Sequence, residues 1–264
     1  MEIRENAKYI VAAVAVVGAS IGAVIYISQR KPEAPPAPAP VAAPKPLPPE
    51  EPAVKYPVEA APAAEPLPKL DESDAPMLSA LAGLIGKVPA EKFVVPEGVV
   101  RKFVVTVDNL PNTKVAERLR PLKPVTGTFA TSGPEDALTL DPANYDRYKP
   151  LVDLVWSLDD AQLMAVYKRY YPLFQDAYEN LGHPPQYFND RLVEVIDHLL
   201  ATPDVNAPVR LAQPNVMYEF ADPKLESLSA GQKVLIRMGS ANATVIKDKL
   251  KTLRAKLVAQ KPAG

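Results

Sequence analysis

From residue 70 to 260 the chain reads as a mainly α body with one or two small β-hairpins, an α+β fold. It is expected to hang from one N-terminal transmembrane helix by a Pro/Ala-rich disordered linker. Three features specify this: an uncharged apolar run at 9–28, a proline-dense stretch up to residue 69, and apolar residues at helical spacing beyond it. The expected parts are a short tail (1–8), the span (9–28), the linker (29–69) and the folded domain (70–260).

The run YIVAAVAVVGASIGAVIYIS lies between Lys8 and Arg30-Lys31. A helix of about twenty residues rises about 30 Å, which matches the hydrocarbon core of a bilayer. The run is longer than the apolar part of a signal peptide, and Ile25-Tyr26-Ile27-Ser28 is a poor cleavage context, so an uncleaved anchor is expected. Arg4 and Lys8 before the run nearly balance Arg30 and Lys31 after it. The short amino-terminal tail is expected to stay inside. That makes a single-pass protein of the inner (cytoplasmic) membrane, with its folded domain in the periplasm.

Residues 31–69 are proline, alanine and valine with scattered charge. Prolines at this density forbid helix interiors and sheet ladders and favour extended polyproline II, either as a spacer of selected length or as a generic tether. Formal net charge is −1, which gives no electrostatic reason to expect a nucleic-acid partner. Cysteine is absent, so disulfides are excluded.

In the body, Asp71 to Pro76 reads as a helix start, followed by Met77, Leu78, Leu81, Leu84 and Ile85 up to Gly86. A second helix fits Pro96 to Leu110, with Val99, Val100, Phe103, Val107 and Leu110 on one face. Gly127–Thr131 and Ala137–Leu140 look like two short strands joined through Gly133 and Pro134. Helices then fit Tyr145–Ser157, which carries the only tryptophan, Trp156, and Asp160–Leu181, where Pro172 is expected to introduce a bend. Tyr187–Ala201 is a further helix. Val209–Ala212 and Val216–Phe220 could pair as a second hairpin, and helices near Ser229–Met238 and Ser240–Lys261 close the chain.

The strings LDESDAP (70–76), FVVTVDNLP (103–111), YFNDRLVEVIDHLLATP (187–203) and VMYEFADPKLESLSAGQKVLIRMG (216–239) resemble a bacterial family described as domain of unknown function 3014. The likeness covers about Leu70 to Val258. It implies a single-span envelope protein with a Pro/Ala-rich linker ahead of the domain, and it carries no activity or catalytic residue.

Two constellations could carry chemistry. Asp190, Glu194 and Asp197 share one helical face, with Arg191 and His198 beside it. They could hold a divalent cation, a cationic ligand, or, through Asp190, Glu194 and His198, an acid–base pair; a solvated face with Arg191 pairing is the plain alternative. Tyr167, Tyr170, Tyr171, Phe174 and Tyr178 recur at helical spacing. They could line a groove for a wall glycan or protein partner, or simply form core. A basic last helix, with Lys247, Lys249, Lys251, Arg254 and Lys256, could lie on an anionic surface or close the domain. The phosphate-loop, nucleophile-elbow, dinucleotide and zinc-protease motifs are missing, and no metal or cofactor is expected. The functional expectation is an envelope protein whose exported domain binds an envelope protein or peptidoglycan. The alternative is an envelope-acting hydrolase or transferase.

Overall fold

The computed structural model describes residues 53–58, 66–206 and 208–259. The expected span at 9–28 and linker residues 29–52 and 59–65 lie outside these. Among the described residues no helix is long and apolar enough to cross a membrane. The body is mostly helical with two small antiparallel hairpins.

After a 3-10 turn at Leu70–Glu72 come α1 (Asp74–Ile85), α2 (Lys87–Phe93) and α3 (Val99–Asn109). The acidic start of α1 has a second task. Asp74 accepts the first free N–H groups of α3, from Gly98 at 2.7 Å and Val99 at 2.8 Å, so it caps a helix 24 residues away in sequence. The first hairpin pairs β1 (Thr131–Ser132) with β2 (Thr139–Leu140), Thr131 opposite Leu140. Then follow α4 (Ala143–Ser157) and α5 (Asp160–Glu179), whose first turn Asp159 caps through the Gln162 N–H at 2.8 Å. The helix runs unbroken through Pro172. After α6 (Phe188–Leu200), the second hairpin pairs β3 (Leu211–Ala212) with β4 (Glu219–Phe220). The chain continues with α7 (Pro223–Glu226), α8 (Ala230–Arg237) and α9 (Ser240–Val258). Ser229 and Gln232 close the start of α8 with a reciprocal capping box.

The main core lies where α1, α3, α5 and α6 meet, and its centre is aromatic. Phe103 lies 5.3 Å from Phe174 and 6.0 Å from Phe188, ring centre to ring centre, and Tyr178 lies 5.7 Å from Phe188. Phe188 is 0% exposed; burying a ring of that size contributes about 2–3 kcal/mol. A second cluster of Leu140, Val209, Leu211, Phe220 and Ile236 sits under the hairpins. Leu140 N–H donates to Val209 O at 2.9 Å and Leu211 N–H to Leu138 O at 2.8 Å, which ties the two hairpins together.

Four of the five basic residues of α9 find partners in the body. Lys247 reaches Asp204, Arg254 binds Asp197, Lys251 binds Asp248 at the surface, and the buried Lys249 donates to Leu158 O at 2.5 Å. Lys256 is exposed. The helix packs on α4 and α6. By contrast Trp156, at the end of α4, is 59% exposed.

Candidate functional site

The first turn of α6 is fixed from outside itself. Phe188 N–H has no partner within its own helix and donates to Gln175 Oε1 of α5 at 2.8 Å, while Gln175 Nε2 donates to Gln186 O at 2.8 Å. With Phe188 pinned in the core, the next two side chains diverge. Asn189 turns inward and is 0% exposed; Asp190 turns to the surface.

What these two residues hold is main chain. Asp190 Oδ2 accepts the N–H of Lys55 at 3.0 Å, and its Oδ1 accepts the N–H of Tyr56 at 2.8 Å. Asn189 Nδ2 donates to Tyr56 O at 2.8 Å, and its own Oδ1 accepts the Tyr167 hydroxyl proton at 2.8 Å. A buried amide oriented by a buried phenol therefore works beside a carboxylate whose two oxygens each accept one N–H. Together they hold the N–H groups of Lys55 and Tyr56 and the carbonyl of Tyr56, where the chain bends. Residues 53–58 lie within the region expected to be linker. Tyr56 and Val58 pack against the main core, and Lys55 is exposed.

Beside this stretch runs a groove of about 620 Å³. Its walls include Asp108, His183, Tyr187, Asp190, Arg191 and Glu194. Arg191 Nε donates to Asp108 Oδ1 at 2.8 Å, and its NH1 lies 3.1 Å from Glu194 Oε2. Burial works to lower the Arg191 pKa, but Glu194 and Asp108 outweigh it and hold the guanidinium above its ordinary value. His183 stacks on Tyr178 at 4.6 Å, with Nε2 3.3 Å from Asp108 Oδ2. Four carboxylates (Asp108, Asp190, Glu194 and Asp197) against Arg191 and Arg254, the latter paired with Asp197, leave the body side of the groove acidic.

The expected sites are thereby redistributed. Asp190, Glu194 and Asp197 all line the groove, but each meets a different partner: main chain, Arg191 and Arg254. Among the described residues no three acidic or histidine side chains gather to hold a metal ion. His198 does not join Asp190 and Glu194. Two helical turns further on, about 12 Å along the axis from Asp190, its Nε2 lies 2.9 Å from Ser229 Oγ, and its carbonyl accepts from Gln232.

The aromatic stripe is interior rather than a groove. Tyr167, Tyr170, Phe174 and Tyr178 are buried, and only Tyr171 is half-buried. Their hydroxyls find partners inside: Tyr170 on Pro76 O and Tyr171 on Gln175. Burial raises the Tyr167 pKa well above its ordinary value and that of Tyr171 to about 12.

Asn189, Asp108 and the 53–58 stretch were not found by sequence reasoning, which weighed His183 only as a base or a loop residue. One signal was present, since Tyr56 is the only aromatic between residues 29 and 69.

A family described as "Protein of unknown function (DUF3014)" matches residues 99–254. No curated protein and no solved structure matches the chain.

Proposed function

We propose that this chain, which belongs to the DUF3014 family of proteins of unknown function, is a membrane-tethered binding protein of the cell envelope whose helical body grips a polypeptide segment at the start of α6. The observation that carries this reading is the Asp190–Asn189 clamp. It reads main-chain groups, which any polypeptide offers where its backbone bends, and it stands beside an acidic groove with room to spare. The tether follows from the apolar run at 9–28 and the proline-dense stretch behind it. A single-pass inner-membrane topology with the body in the periplasm completes the picture. The hydrolase or transferase alternative lacks comparable support, because His198 is bonded to Ser229 away from Asp190 and Glu194.

The test is in-cell photo-crosslinking from position 194, which is exposed and lines the groove. The expected adducts are protease-sensitive and fall at least five-fold when Asp190→Ala is added. Adducts to wall glycan alone, or adducts indifferent to Asp190, would overturn the polypeptide reading. A reporter fused after Gly264 that is active only in the cytoplasm would overturn the topology.

A further inference from the structure

We infer that the groove's ligand is a short segment with a basic residue followed by an aromatic and a proline, and that residues 53–58, Ala-Val-Lys-Tyr-Pro-Val, are a resident copy that a segment supplied in trans displaces. This rests on the polypeptide reading above and names the ligand and the regulation of that same site.

Each position of the resident stretch has a physical task. The chain bends at Lys55 and Tyr56, which turns two successive N–H groups to the same side so that both reach one carboxylate. Pro57 has no N–H, so the stretch leaves no donor stranded where the clamp ends. The Tyr56 ring and Val58 supply the apolar contact with the core, which a glycine- or serine-rich stretch would lack. Lys55 carries its charge past a wall of carboxylates yet forms no ion pair among the described residues. A ligand whose basic group reaches Glu194 would therefore gain an attraction that the resident copy leaves unused.

The resident grip is also weak enough to exchange. It consists of three main-chain hydrogen bonds and three half-buried residues, Tyr56, Pro57 and Val58. With Ala53, Val54 and Lys55 exposed, an incoming strand has an open end from which to begin. Asn189 Nδ2 is aimed at the position of a carbonyl oxygen and fixed there by Tyr167, so the site stays shaped for a polypeptide when the resident copy leaves. A tethered segment competes at an effective concentration on the order of millimolar, which masks the site from weak ligands and leaves it open to strong ones.

The experiment uses the full chain in detergent micelles and a fluorescent synthetic peptide covering residues 50–60, read by anisotropy. Tyr56→Pro removes one N–H and the ring from the resident copy and leaves the groove residues contributed by the helical body unchanged. Lys55→Pro, at an exposed position, serves as the milder second variant. The peptide is expected to bind either variant at least ten-fold more tightly than wild type. That binding should disappear when Asp190→Ala is added, and it should weaken at least ten-fold for a peptide carrying glutamate in place of lysine. Equal affinity for wild type and both variants would overturn displacement. Failure of the peptide to bind any form, while Asp190-dependent polypeptide adducts persist at position 194, would overturn the ligand assignment and leave the groove reading standing. Loss of both signals would sink the two together.

Discussion

Gly239 joins α8 to α9 at φ 83° and ψ 154°, a region of backbone space that is essentially glycine's alone. A Cβ built there would meet three ring atoms of Tyr145 at 2.7, 2.8 and 2.9 Å. The ring has little freedom to retreat, because Tyr145 packs against the second core cluster and its carbonyl accepts from Asn242 at 2.9 Å. Gly239→Ala thus carries two costs: about 1–3 kcal/mol for the backbone and about 1–3 kcal/mol for overpacking. The sum of roughly 2–6 kcal/mol corresponds to a fall in melting temperature of about 4–24 °C for a body of this size. Two other glycines separate the terms. Gly86 has φ 88° but only ordinary contact, Pro89 Cδ at 3.5 Å, so Gly86→Ala should show the backbone cost alone. Gly83 lies inside α1 with nothing within 4 Å, and Gly83→Ala should stabilise by about 0.5–1 kcal/mol. Far-ultraviolet circular dichroism melts of the full chain in detergent would rank the three. Gly239→Ala melting within about 2 °C of wild type, or no lower than Gly86→Ala, would refute the close approach of α9 to Tyr145.

Three further outcomes are expected. Tyr167→Phe removes the proton that Asn189 Oδ1 accepts in a fully buried position, costing about 1–3 kcal/mol; amide exchange at Lys55 and Tyr56 should quicken several-fold, and unchanged exchange there would contradict the orienting role. Lys249→Met strands Leu158 O and the Asp160 carboxylate, whose Oδ1 lies 2.5 Å from Nζ without the alignment of a hydrogen bond. It should cost roughly 2–4 kcal/mol in a urea melt, and adding Asp160→Asn should restore part of that. Tyr171, pushed to about 12, and Tyr167, pushed well above its ordinary value, hold their protons more tightly folded than unfolded. The stabilisation is complete below pH ~10, the ordinary phenol value, and is lost as pH rises from there toward 12. The urea midpoint should fall across that window while tyrosinate absorbance of the native protein lags that of the unfolded chain. A midpoint flat to pH ~12 would contradict it.

The helices were legible because burial on one face leaves a period in the sequence. The 187–201 reading lands within a residue or so of α6, and Val99, Val100 and Val107 fall inward in α3 as their spacing demands. The strands were over-read. Gly127–Thr131 has strand composition, yet the paired strand is only Thr131 and Ser132; at Ala130 the N–H goes to Asn144 Oδ1 at 3.0 Å, and the carbonyl is shared between Asn144 Nδ2 at 2.6 Å and the Asp141 N–H at 3.3 Å. Helix α2 escaped notice because seven residues with Pro89 in the first turn show too little period. For the tyrosines, spacing gave a face but not its direction, since a phenol suits core and surface alike. Asp190 stood out as one acid of three. That its partners are backbone N–H groups more than 130 residues earlier could not be read, because main-chain donors are the same at every position.

The outward position of Trp156 has a practical side. An indole more than half in water in the native protein reports nearly the same surroundings after the chain comes apart, so intrinsic tryptophan emission should register little when this body melts. The optical signal of the intact fold belongs instead to the enclosed phenols and phenyl rings around Phe188, whose asymmetric packing gives near-ultraviolet dichroism that vanishes with the core.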